Sequence, residues 1–266
     1  MNGKNAQGIT EQEYLGRYDP KKYEHPSVTV DVLIFTVDKS REEYHLGILL
    51  ARREDHPFLD KWALPGSFVG MGESVEQAAA RELEETTGLR SPYLEQLYTW
   101  GEVERDPRTR IISVSYLALV PCETLPLWFP GSCLPGQSGE NSRKSTEEGK
   151  IRGTWFCVGI QGGRLRLWNQ EDELEEADLA FDHGAMIRLA LERMKNKLFY
   201  TDIAFRLLPD KFTFPELQRL YEAILGESLH GPNFRRDMQK WVERTDEKSR
   251  PQKAGKPAWY YRQKGK

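Results

Sequence analysis

Cysteine is scarce in this 266-residue chain, with only Cys122, Cys133 and Cys157, odd in number and widely spaced. That pattern predicts neither a disulfide framework nor a zinc site, and it suits a reducing cytoplasm. Long apolar runs are missing as well. VDVLIFTV and YLALV are the longest, and a helix that crosses a bilayer needs roughly 20 apolar residues. The first residues, MNGKNAQGITEQEY, are polar and hold no apolar signal core. A cytoplasmic protein with no membrane partner is therefore expected. With 38% apolar and 30% charged residues, the composition suits one large or two small compact domains.

Charge is present in quantity and unevenly placed. Residues 1–180 carry 20 Lys+Arg against 30 Asp+Glu, whereas residues 181–266 carry 18 against 11. An acidic body with a basic end suggests that one part meets a polyanion, the alternative being a solvated Lys-rich tail.

The most informative stretch is 62–89, WALPGSFVGMGESVEQAAARELEETTGL, a Gly-rich loop that runs into a helix. Ser74 is a good N-cap, Gln77 completes a capping box, and Gly88 supplies the stop. At helical spacing Val75, Ala78, Ala79, Glu82, Leu83, Glu85 and Thr86 share one side. Two partly buried carboxylates one turn apart require a cation or a hydrogen-bond donor, either Arg81 nearby or Mg²⁺.

This stretch resembles the Nudix box, G-x5-E-x7-R-E-U-x-E-E-x-G-U, with Glu73, Arg81, Glu82, Leu83, Glu85, Gly88 and Leu89 at matching positions. The resemblance implies a loop-helix-loop that holds a divalent metal against a nucleoside-diphosphate substrate, with Arg81, Glu82 and Glu85 as catalytic candidates and Glu82 and Glu85 as metal ligands. Two positions depart: Ser67 stands for the leading Gly, and Thr86 for the second Glu of the pair. Thr is a neutral, weak ligand, so any Mg²⁺ site is expected to be weak, and hydrolysis weak or absent.

In chain order, residues 1–26 form a polar leader. Strands are expected at 28–37 and over YHLGILLARRE, where Arg52 or Arg53 could reach a phosphate or be a solvated strand end. Two more strands, 93–103 and 111–120, flank a turn whose Arg105, Arg108 and Arg110 are either solvated or set toward an anionic ligand. The Gly, Ser, Pro and charge-rich insert at about 123–150 is read as a flexible loop. Strands resume at 152–158 and 163–169, and a helix capped by Asp182 runs to about Leu198. His183 is read as structural.

A basic module follows. Thr213 and Glu216 cap a helix that ends at Gly226. A second helix, from about Pro232 to Val242, leaves Asn233, Arg235, Arg236, Gln239 and Lys240 outside, and a hairpin has Arg250, Lys253 and Lys256 at its tip. This order is that of a winged helix-turn-helix, in which the second helix reads base edges and the wing meets phosphate or the minor groove. A protein-binding winged helix is the alternative.

Together the halves resemble the NrtR family of Nudix-related transcriptional regulators. HPSVTVDVLIF (25–35), WALPGSFV (62–69), RDPRTRIISVSYLAL (105–119), LAFDH (179–183), KNKLFYTDIAFRLLPDKFTFPELQRLYEAILG (195–226) and NFRR (233–236) carry the likeness. It implies an α/β fold in which a Nudix mixed-sheet α/β/α sandwich (27–180) is joined by a linker helix (181–199) to a winged helix-turn-helix (200–266). It also implies a homodimer that binds a palindromic operator in double-stranded DNA, with ADP-ribose or a relative as effector and NAD-metabolism genes as targets. The effector-site candidates are Arg52, Arg53, Ser67, Phe68, Glu73 and Arg110. Two alternatives stand beside this expectation: an active Mg²⁺-dependent pyrophosphatase acting on ADP-ribose-like substrates, and a sugar-sensing regulator of pentose use.

Overall fold

Alternate residues of one strand divide the interior in two. β1 (Ser27–Asp38) sends Val30, Val32 and Ile34 into one apolar cluster and Leu33, Phe35 and Val37 into another. A strand buried on both faces must be covered twice. In the computed structural model, which describes residues 3–39, 44–90, 93–125, 153–249 and 257–265, the first face is covered by α2 (Val75–Thr87) through Ala78, Ala79 and Leu83. The second is covered by α3 (His183–Lys197) and α4 (Phe214–Leu225).

The sheet runs in the order β5 (Tyr93–Trp100), β6 (Ile111–Leu119), β1, β2 (His45–Arg52), β7 (Thr154–Gln161), β8 (Arg164–Trp168), β9 (Glu173–Glu175). Short strands β3 (Trp62–Ala63) and β4 (Gly66–Phe68) pair with β2 and β1. β1 and β6 are parallel from Ser27↔Ile111 to Phe35↔Leu119, and β2, β4 and β5 pair antiparallel, so the sheet is mixed. Helices on both faces make the α/β/α sandwich. Gly66 is obligatory in β4, because a Cβ there would lie 2.5 Å from an Asp31 carboxylate oxygen and 2.6 Å from the Val30 carbonyl.

The second unit has a three-stranded sheet, β10 (Phe212–Thr213), β12 (Trp259–Gln263) and β11 (Val242–Lys248), with α4 and α5 (Gly231–Met238) between β10 and β11. Thr213 and Glu216 form the expected capping box, and Gly226 ends α4 in the left-handed region at φ 75°. This is a winged helix. It shares its core with the first unit: Leu217, Leu220 and Tyr221 belong to the same cluster as Leu33, Phe35 and Ile48. The Tyr221 hydroxyl donates to the Leu198 carbonyl at 2.9 Å, just past the end of α3.

Several expectations are corrected. The leader contains α1 (Glu11–Arg17), closed by a Thr10–Glu13 capping box but burying no residue. The acidic segment after β8 contains β9, of which only Leu174 is buried. The second helix of the basic module stops at Met238, because Val242 already pairs with Gln263 in β11. Cys122 is disulfide-bonded, although the cysteine pattern predicts no disulfide framework. Pairing is decided by whether two Cα atoms come within about 7 Å, which spacing along the chain does not fix. Most of the 123–150 insert lies outside the described residues. Among the described residues no helix is long and apolar enough to cross a membrane.

Candidate functional site

The box helix α2 begins and ends as its sequence dictates. The Ser74 hydroxyl accepts from the Gln77 amide, and Gly88 closes the helix at φ 72°. Just before it, Glu73 is gripped by Arg81, whose Nε and Nη2 donate to the two carboxylate oxygens at 3.1 and 2.8 Å. The Gly70 amide adds a bond of 2.8 Å. Hydrogen bonding from Arg81, then from Gly70, pulls the Glu73 carboxyl down to about 2. Arg81 Nη2 also donates to the Phe68 carbonyl at 3.3 Å, and its Nη1 lies 3.8 Å from Glu85. Arg81, offered as a neutraliser of Glu82 and Glu85, is bonded chiefly to Glu73.

The departure at Thr86 has a structural counterpart. Its buried hydroxyl donates to Glu82 Oε1 at 3.1 Å. The expected pair of partly buried carboxylates is corrected: Glu85 is 56% exposed, because it lies toward the solvent rim of the helix beside Arg81. Among the described residues no three His, Cys, Asp or Glu side chains gather as a metal site. Glu82 and Glu85 are too few to hold magnesium by themselves. They fit the ion only where a ligand's phosphate oxygens and water complete its shell.

Phe68 joins the box to a second cluster. Its ring lies 5.8 Å from the Arg108 guanidinium, which is itself 6.0 Å from the Phe181 ring. Arg53 also stands by the Phe181 ring, at 5.0 Å, and Phe58 packs against Phe181 with centroids 4.7 Å apart. Phe58 and Phe68 keep exposed faces. The result is a cationic aromatic shelf beside the box. Burial, then the neighbouring Arg108, lowers the Arg53 pKa, as expected of two like charges held close. Asp106 holds Arg108 with bonds of 3.0 and 2.8 Å, which leaves one net positive charge between aromatic faces. Rings and guanidinium planes stack on a nucleobase, and guanidinium also pairs with phosphate.

The other effector-site candidates lie apart. Arg52 is 62% exposed and faces Asp60 at 3.2 Å. Arg110 donates to the carbonyls of Glu102 and Gly101, so its donors are engaged by the backbone. Ser67 lies in β4 opposite Val30, with its hydroxyl buried and unbonded. Sequence reasoning missed Phe58 and Phe181, and it left Arg108 between solvent and ligand. An aromatic immediately before a helix start, as at Phe181, was the available signal.

Beneath the shelf lies a buried polar network. Arg105, only 4% exposed, donates to both oxygens of Asp182 at 2.9 and 2.7 Å and lies 3.7 Å from Asp31. The expected cap is thereby corrected: Asp182 sits at the N-cap of α3 but makes no cap bond, because Arg105 takes its carboxylate. Asp31 also accepts from the Ser113 hydroxyl and lies 3.6 Å from His183 Nε2. His183 Nδ1 accepts from the Leu64 amide at 2.9 Å, and burial lowers its pKa, so the ring serves as a neutral strut.

On the winged helix, Asn233, Arg235, Arg236, Gln239 and Lys240 are all exposed. Asn233 and Arg236 lie one turn apart on the same face of α5. Arg236 is 74% exposed, with Asp237 at 3.5 Å. Arg235 is turned inward: its guanidinium lies 4.6 Å from the Phe214 ring and donates to the Tyr261 hydroxyl at 2.8 Å. The Lys240 ammonium is 5.6 Å from the Trp241 ring. The wing candidates Arg250, Lys253 and Lys256 lie outside the described residues.

Comparison with known proteins agrees with this anatomy. Residues 26–159 match the model of the NUDIX domain, and residues 204–263 match that of the NrtR DNA-binding winged helix domain. The chain is 35% identical over 258 residues to the ADPR responsive transcriptional repressor NtrR of Acinetobacter baylyi, covering 95% of this chain and 88% of that protein. The structure of Shewanella oneidensis NrtR complexed with a 27mer DNA superposes with a TM-score of 0.63 at 30% identity, over 89% of this chain and 93% of that one. A MutT/nudix family protein from Enterococcus faecalis gives a TM-score of 0.73 at 27% identity, over 96% of this chain and 94% of that one.

Proposed function

Because the chain belongs to the NrtR family of Nudix-related transcriptional regulators, we propose that it is a transcriptional repressor whose grip on operator DNA is set by ADP-ribose. The observation that carries this reading is the pairing, on one surface, of a cationic aromatic shelf with a box whose Glu82 is bonded to Thr86. The shelf suits a nucleoside diphosphate: Phe58 and Phe68 offer faces to the base, and Arg53 and Arg108 offer charge to the diphosphate. The box keeps its shape but lacks one carboxylate for turnover. A sensor that destroyed its signal would erase its own message, so binding without rapid hydrolysis is coherent.

DNA is met by the winged helix, with Asn233, Arg236, Gln239 and Lys240 toward base edges and backbone. A homodimer on a palindromic operator, in the cytoplasm and upstream of NAD-metabolism genes, completes the proposal. Supporting it are two relatives, one an ADPR responsive transcriptional repressor and one whose structure is complexed with DNA. Arg108 is already paired with Asp106, so an uncharged pentose would leave the shelf's one net positive charge, on Arg53, uncompensated, which disfavours sugar sensing.

The test is fluorescence anisotropy with a palindromic fragment from the region upstream of the protein's own gene. Specific binding that ADP-ribose weakens tenfold or more, about 1.4 kcal/mol of coupling, is the expected result. Binding indifferent to ADP-ribose would overturn the effector assignment. A second reading, a slow Mg²⁺-dependent pyrophosphatase, is favoured by the retained Glu73, Arg81, Glu82 and Glu85. Thr86→Glu should raise AMP release from ADP-ribose at least tenfold if the lost carboxylate limits hydrolysis, worth about 1.4 kcal/mol of barrier. No gain would remove that explanation.

A further inference from the structure

The shelf and the DNA-binding unit are joined by one helix, and its first residues are unusual. Phe181, which stands between Arg53, Arg108 and Phe58, is held in the left-handed region at φ 50°. A bulky residue is rarely found there, and such strain persists only where the surroundings impose it. The next residue, Asp182, occupies the N-cap of α3 but gives both carboxylate oxygens to the buried Arg105. The far end of α3 enters the winged-helix core, where Met194 and Leu198 pack with Leu217 and Tyr221 and the Leu198 carbonyl receives the Tyr221 hydroxyl. Arg105 lies in the same turn as Arg108, the shelf arginine. A movement of either shelf residue therefore pulls on one partner of the clasp.

We propose that the Arg105–Asp182 clasp transmits occupancy of the shelf to the winged helix, with Phe181 as the trigger and α3 as the lever. This rests on the shelf being the ADP-ribose site. A nucleoside diphosphate between Arg53, Arg108 and the rings favours a position of Phe181 and of the 105–108 turn different from that of the empty shelf. The clasp then yields, and the Asp182 carboxylate can accept from the Gly184 or Ala185 amide, the bond an N-cap side chain ordinarily makes. Two arrangements of one carboxylate, clasped or capping, supply the two states that such a ligand must distinguish. A strained residue, an uncapped helix and a buried ion pair at a single joint are otherwise an odd combination of costs.

The experiment compares wild-type protein with Asp182→Asn and Arg105→Lys, measuring ADP-ribose affinity by calorimetry with and without operator. Both changes remove the clasp that the ligand must otherwise displace, so affinity without DNA is expected to equal or exceed that of wild type. The ratio of affinities with and without operator, tenfold or more in wild type, is expected to fall below about threefold in both variants. Variants that keep the wild-type ratio would overturn the clasp and leave the repressor reading intact. Wild-type protein that binds neither operator nor ADP-ribose would overturn the repressor reading itself. Should neither variant fold, hydrogen exchange of the wild type decides. ADP-ribose must alter protection of the Gly184 and Ala185 amides, and unchanged protection there overturns the proposal.

Discussion

At the scale of single residues, three arginines in one turn have three different fates. Arg105 is buried on Asp182, Arg108 is held by Asp106 beneath the aromatic rings, and Arg110 is spent on two carbonyls. Arg108→Ala should weaken ADP-ribose binding about tenfold to a hundredfold, the worth of a hydrogen bond to a charged group, about 1.5–3 kcal/mol. Arg110→Ala should leave it unchanged. Calorimetry on both variants checks the contrast, and equal losses would mean that the shelf is misplaced. The sequence could not separate the three, because spacing gives neither a side chain's partner nor its depth. The box was more legible. Helical periodicity puts Glu82 and Glu85 on one side, yet it could not say that Thr86 would turn its hydroxyl onto Glu82 or that Glu85 would lie at the solvent rim.

At the scale of elements, legibility follows burial. β1, β6 and α4 hold continuous or periodic apolar residues because each packs over its whole length, and each was evident in the sequence. α1 has no buried face and β9 has only Leu174 inside, so neither leaves a pattern to read. On α5 the exposed basic residues were apparent, but the inward turn of Arg235 onto Phe214 and Tyr261 was not. Arg236→Ala is expected to cost about 1–3 kcal/mol of specific operator binding and to relax sequence preference. Arg235→Ala should instead lower thermal stability and weaken all DNA sequences alike. Anisotropy against operator and scrambled duplexes, with a melting curve for each variant, distinguishes them. A uniform loss for Arg236→Ala would argue against base readout by this helix.

At the scale of the whole molecule, the two units melt as one if their shared core governs cooperativity. Leu217, Leu220 and Tyr221 of α4 pack in the cluster that also holds Leu33, Phe35 and Ile48 of the large sheet. A single thermal transition, coincident by circular dichroism and by tryptophan fluorescence, is expected. ADP-ribose at a hundred times its Kd should add about 2.7 kcal/mol, moving the midpoint up by roughly 5–10 °C for a chain of this size. Two separated transitions would show that the core does not couple the units.

That shared core also bears on how such proteins can be recombined. A reader that completes the sensor's sandwich with its own helix is not a detachable part. Were α4 transplanted to another Nudix scaffold, Leu217 and Leu220 would need a host surface shaped like the face of β1 and β2 that now receives them. Exchange of specificities between relatives is thus easiest at the solvent face of α5 and at the shelf, where side chains can change without breaking the seam. New pairings of sensor and reader would have to carry both halves of that seam together.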